Sequence, residues 1–139
     1  MKEYVLDANA LVRLFRNQDG ADKIQELLIQ ADKKQALLLI SVVNLAEVLY
    51  IFARYSTLEE ARKALRKIQS QVEFVPADPE QALAAGELKY HYKLGLADCF
   101  AAELAMRTGA TLVTADPEFA KLGKHLKVLA LPSHSDHRE

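Results

Sequence analysis

The chain has 139 residues, half of them hydrophobic and 27% charged, with a formal net charge of −1. That length fits one compact domain able to bury roughly 70% of its unfolded-state surface, so neither a disulfide nor a structural metal is needed to hold a core. The near-zero charge excludes a globally basic nucleic-acid binder, so any site for a polyanion must be local.

No apolar run approaches the ~20 residues of a membrane span, and no signal peptide precedes Tyr4. The single cysteine, Cys99, has no internal disulfide partner and lies in an apolar helical run, where it serves as a small buried hydrophobe. A reducing, cytoplasmic location is expected.

Residues 3–6 predict a short buried parallel strand that delivers Asp7 and then Asn9. Residues 9–16 predict a helix with Leu11, Leu14 and Phe15 inside. After a polar break at 17–20, Asp19 or Asp22 can cap a second helix carrying Ile24, Leu27, Leu28 and Ala31 at helical spacing. Residues 37–40 form a continuous apolar run, as in a strand covered on both faces. Ser41 then stands at the cap of a helix over 43–54, with Leu45, Val48, Leu49 and Phe52 as one stripe. Glu47 stands out from the apolar neighbourhood in its first turns.

Thr57 with Glu60 predicts a capping box for a basic helix carrying Arg62, Lys63, Arg66 and Lys67. Mixed with Glu59 and Glu60, that face reads as solvated charge. Val72–Val75 predicts a strand. Asp78 followed by Pro79 restarts a helix in the preferred way, with Ala82, Leu83, Ala85 and Leu88 inward. A further helix over 96–106 carries Asp98 near its start and stops at Thr108, Gly109 and Ala110. A short strand over 111–113 leads through Thr114 and Ala115 to Asp116, and Pro117 opens another helix. Residues 128–131 predict a final edge strand, and 132–139 a polar tail. Alternating strands and helices define an α/β class: one three-layer α/β/α domain over 1–131 with a mainly parallel central sheet.

Asp7, Glu47, Asp98 and Asp116 all lie where strands exit or helices begin, the edge at which open α/β sheets bind ligands. Read singly, Asp7 and Asp116 are equally helix caps, and Asp98 merely complements a helix dipole. Gathered without a cation, the four would repel, and some would take up protons. A hard divalent ion with oxygen ligands, Mg²⁺ or Mn²⁺, removes that conflict, and such a site suits phosphodiester hydrolysis. Asn9 can add a carbonyl oxygen or hold a water, and Ser41 and Thr114 can orient carboxylates from behind.

The motifs VLDANAL, SVVNLAEVLY and LGLADCFAAELAMRTGATLVTADPEF, in this order and spacing, resemble those of PIN-domain nucleases. The resemblance is strongest to the single-domain VapC-type toxins of toxin–antitoxin pairs, and it covers the chain to about Leu131. It implies a Mg²⁺- or Mn²⁺-dependent endoribonuclease acting on RNA, often a homodimer. Asp7, Glu47, Asp98 and Asp116 would be its acidic site, with Asp7, Asp98 and Asp116 holding metal and an antitoxin protein as partner. The C-terminal SHSDHRE matches no motif of the family. His134 and His137 within it, like His91 and His125, read as solvated residues.

Arg13 and Arg16 follow Asp7 by one to three helical turns and are candidate phosphate clamps. Tyr50, Phe52 and Tyr55 end the Glu47 helix, where an exposed share would form a groove for a partner's amphipathic helix. Two other readings compete. One keeps the fold as a catalytically silent module binding RNA or protein. The other is a receiver-type phosphoacceptor domain, which the lack of an acid beside Asp7 and of a lysine between Val113 and Asp116 argues against.

Overall fold

The computed structural model describes residues 1–132; the expected polar tail, with His134 and His137, otherwise lies outside them. Twelve elements follow in order. They are β1 (Lys2–Leu6), α1 (Ala8–Phe15), α2 (Ala21–Asp32), β2 (Ala36–Ser41), α3 (Val42–Tyr55), α4 (Leu58–Ile68) and β3 (Val72–Val75). Then come α5 (Pro79–Tyr92), α6 (Leu96–Thr108), β4 (Thr111–Thr114), a 3-10 segment (Pro117–His125) and β5 (Val128–Ala130).

The five strands are all parallel, in the order β3-β2-β1-β4-β5. Register follows from the two-residue period of the strands, which turns alternate side chains to opposite faces. Tyr4, Leu6, Leu38, Ile40 and Val113 share one core with Leu11, Ile24, Leu27 and Val48 of α1, α2 and α3. Val5, Leu39 and Leu112 share the other with Ala85, Cys99, Ala102 and Leu104 of α5 and α6. Each of Val5, Leu6, Leu38 and Leu112 is wholly buried, a contribution of about 1.5–3 kcal/mol per side chain. Replacing Val5 or Leu6 by Asp would set an unpaired carboxylate in the central strand and abolish folding. Among the described residues no helix is long and apolar enough to cross a membrane.

Two local expectations differ from the structure. The cap of α2 is Gly20, not Asp19 or Asp22. Its φ of 94° is left-handed, and an added Cβ would meet Leu131 at 3.3 Å, so the chain needs glycine for both conformation and space. The inner face of α5 runs through Ala85 and Leu88, whereas Ala82 and Leu83 face solvent, Leu83 at 72% exposure. Alanine is too weak a marker of burial to fix the phase of an alanine-rich helix. The helix expected from Pro117 is present, as a 3-10 segment broken at Gly123. Asp78, Pro79 and Gln81 form a full capping box on α5, and Thr57 accepts from the Glu60 amide at 3.0 Å.

Candidate active site

The strand order reverses at β1, with β2 and β3 on one side and β4 and β5 on the other. In a doubly wound sheet the crevice beyond the carboxyl ends of the strands at that reversal is the natural binding site. Asp7 follows β1 there, and Thr114 ends β4 beside it.

Asp7 caps α1, accepting from the Ala10 amide at 2.9 Å, and its other carboxylate oxygen accepts a short hydrogen bond from the Thr114 hydroxyl. The Thr114 oxygen accepts in turn from the Asp116 amide at 3.0 Å, so one hydroxyl joins the exits of both strands. Asp116 caps the 3-10 segment by accepting from the Glu118 amide at 2.9 Å. Asp98 enters from the first turn of α6, and Glu47 from α3. All four carboxylates line one cavity of about 460 Å³, together with Asn9 and Ile51.

Burial, first of all, pushes the Asp7 carboxyl up to about 7. The bonds from Thr114 and Ala10 pull it back down, while Asp98 and Asp116 push it further up. Asp98 is pushed up to about 6, by burial first and then by the charges of Asp116, Glu47 and Glu118. The acids therefore sense one another across the cavity. Among the described residues, however, no three acid, histidine or cysteine side chains are drawn together at metal-binding spacing. Mg²⁺ usually keeps several waters and takes one or two carboxylates, so a ring of acids around a cavity of this size suits it. The donor set is all oxygen and carries the repulsion that a hard cation relieves.

The other expected site residues divide. Thr114 supports the acids as anticipated. Ser41 does not: its hydroxyl caps α3 by accepting from the Val43 amide at 3.2 Å, and it lines a separate crevice with Val75, Phe100 and Glu103. Asn9 lines the cavity, but its side-chain oxygen accepts from Arg13 Nε at 2.8 Å rather than pointing free. Arg13 is only 1% exposed. It also donates to the carbonyls of Asp19 at 2.9 Å and Pro132 at 2.6 Å. Its donors are committed to tying three chain segments together, not to clamping phosphate, and they hold down the first residue of the expected tail. Arg16 is exposed, its guanidinium stacked 3.4 Å above the Tyr55 ring.

Two residues escaped the sequence reading. Asn44 is wholly buried and donates to the Ala97 carbonyl at 3.1 Å and to Glu47 Oε1 at 3.5 Å, bridging α3 to the start of α6 beside Asp98. Its Oδ1 is buried without a hydrogen-bond partner among the described residues. The signal was available: an amide one helical turn before Glu47 in an apolar run shares that residue's face. Glu118 adds a fifth acid near Asp98, exposed and paired with Lys121 at 2.9 Å. Only the geometry of the 3-10 segment reveals it.

The PIN domain profile matches residues 4–125, and the chain belongs to the PIN-domain family. Solved structures share its fold. VapBC2 of Rickettsia felis, bound to a DNA fragment from its promoter, is 22% identical with a TM-score of 0.73, covering 93% of this chain and 98% of that one. DNA-bound VapBC of Salmonella typhimurium is 18% identical with a TM-score of 0.72, covering 94% and 98%. VapBC-1 of nontypeable Haemophilus influenzae is 19% identical with a TM-score of 0.69, covering 92% and 97%. No curated protein matches the chain.

Proposed function

We propose that this chain is a Mg²⁺- or Mn²⁺-dependent endoribonuclease, the cytoplasmic toxin of a toxin–antitoxin pair. The observation that carries the reading is the gathering of Asp7, Glu47, Asp98 and Asp116 around one cavity at the β1/β4 reversal. The likeness to toxin–antitoxin complexes supports the partner. Asp7, Asp98 and Asp116 would hold the cation between them, directly or through its retained waters. When bound, it supplies a hard positive charge against the scissile phosphodiester.

The chain's own residues supply the rest. Thr114 fixes the Asp7 carboxylate and the backbone of Asp116, so the floor of the cavity is pre-organised. Asn44 steers Glu47 from below. Glu47 would then orient the attacking water and accept its proton as the new P–O bond forms and the bond to the leaving sugar oxygen breaks, that oxygen taking a proton from solvent.

The test is cleavage of a defined RNA by purified protein. Asp7→Asn and Asp98→Asn should each lower the rate by ~10²-fold or more, and EDTA should abolish it. Normal cleavage by both variants would remove the assignment. The alternative reading is a catalytically silent module of the same fold that binds RNA or protein. It would replace this one if the wild type bound RNA yet never cut it in Mg²⁺ or Mn²⁺.

A further inference from the structure

Outside the cavity, α1 and α3 continue side by side, joined by Phe15 and Phe52 with ring centroids 5.3 Å apart. Glu47 and Ile51 line the cavity, and Arg54 follows on the same face of α3, about 10 Å along the axis from Glu47 and under one turn beyond Ile51. On α1, Val12 and Arg13 line the cavity and Arg16 follows one turn on. Two tyrosines flank that face of α3, Tyr50 and Tyr55, 62% and 60% exposed. Each has an arginine on its ring: Arg16 lies 3.4 Å from the Tyr55 centroid and Arg54 5.4 Å from that of Tyr50. Neither arginine is ion-paired among the described residues.

An exposed arginine–tyrosine pair adds only ~0.5–1 kcal/mol to a fold, so stability alone does not account for two of them on helices that line an acidic cavity. A partner's amphipathic helix needs one continuous apolar stripe. Tyr50 and Tyr55 instead diverge by roughly 140° around α3, with Arg54 between them. Aromatic faces beside unpaired guanidinium groups match a different ligand. Unpaired bases stack on tyrosine or on the guanidinium plane, and phosphates take the arginine donors.

We propose that the Arg16–Tyr55 and Tyr50–Arg54 pairs form a stacking platform that holds unpaired nucleotides of the RNA flanking the scissile phosphate. The platform rests on the nuclease reading for what the cavity does, but it is tested by binding alone.

The experiment is fluorescence anisotropy of the full chain with a labelled uridine oligoribonucleotide in EDTA, where no cleavage occurs. Tyr50→Ala and Tyr55→Ala should each weaken binding roughly 5- to 150-fold, while the Tyr→Phe variants stay within about twofold. Arg16→Gln and Arg54→Gln should each lower the salt slope by about 0.7. Unchanged binding by both Tyr→Ala variants, with normal melting curves, overturns the platform. Unchanged RNA binding combined with lost capture of a purified inhibitor protein also overturns it, assigning the surface to a protein. A wild type that binds through both tyrosines but does not cut RNA in Mg²⁺ upholds the platform while ending the nuclease reading.

Discussion

Asp7 carries a charge that the fold resists, and replacing it with asparagine should show this as a pH-dependent gain in stability. The carboxyl is 2% exposed, and burial raises it from 3.8 to about 7. Below about pH 4 it is protonated in both folded and unfolded chains, and no penalty exists. From there to about pH 7 the folded chain retains a proton that the unfolded chain has released, so wild-type stability falls as pH rises. Above that window both forms are ionised and the full penalty, about 4 kcal/mol at 1.36 kcal/mol per tenfold, stands. Asparagine keeps the oxygen that caps Ala10 but cannot accept the Thr114 proton, a fixed loss of about 1–2 kcal/mol at every pH. The readout is therefore the change with pH. The stability of Asp7→Asn minus that of wild type should grow by about 2–3 kcal/mol between about pH 5 and about pH 8 in EDTA. For a domain of this size that is roughly 10 °C in melting temperature. Paired thermal melts across the range would measure it. A difference that stays flat with pH, or shrinks, would refute the idea that burial holds the Asp7 proton.

Three further outcomes are expected. Mg²⁺ at a hundredfold excess over its Kd should stabilise wild type by about 2.7 kcal/mol in a melting assay, and Asp98→Asn by clearly less; equal gains would detach Asp98 from the cation. Asn44→Ala removes the donor to Ala97 and Glu47 from a fully buried position, so it should cost about 1–3 kcal/mol and slow RNA cleavage together. Intact cleavage by a destabilised Asn44→Ala would confine that residue to packing. Arg13→Lys cannot reproduce the three-way grip on Asn9, Asp19 and Pro132 and should lower the melting temperature in denaturation assays, while RNA affinity at constant folded fraction stays unchanged. A drop in affinity without a drop in stability would restore the clamp role.

The sheet and its order of elements were legible because each strand is short, apolar and flanked by a helix with a strong period, and because Asp78–Pro79 and Thr108–Gly109 punctuate the chain unambiguously. The acids were legible for the same reason, since strand exits in an α/β fold point to one edge. At Asp7 and Asp116 the cap reading does not exclude a place in the cavity: each caps a helix and lines it. Direction along a helix face was not legible. Arg13 and Arg16 look alike in sequence, yet one is buried as a strut and the other stacks at the surface. Ser41 caps its helix as read, but its second expected role beside the acids fails because the Val43 amide claims the hydroxyl. Asn44 was hidden by an apolar stretch that drew attention only to its one charge.

The hydrogen bond between Thr114 and Asp7 joins residues 107 apart in the chain, across the β1–β4 pairing. The pairing of β1 with β2 closes a far shorter loop. Loop closure of that length is costly and slow, so contacts between distant strands come late in folding. A chain that has seated β1 on β2 and packed α1 to α3 already owns half a core, yet only Asp7 and Glu47 of its four acids are in place. The acidic cavity is thus completed only at the final step of assembly, and detachment of β4 would withdraw Thr114 and Asp116 from it while leaving the amino-terminal half folded.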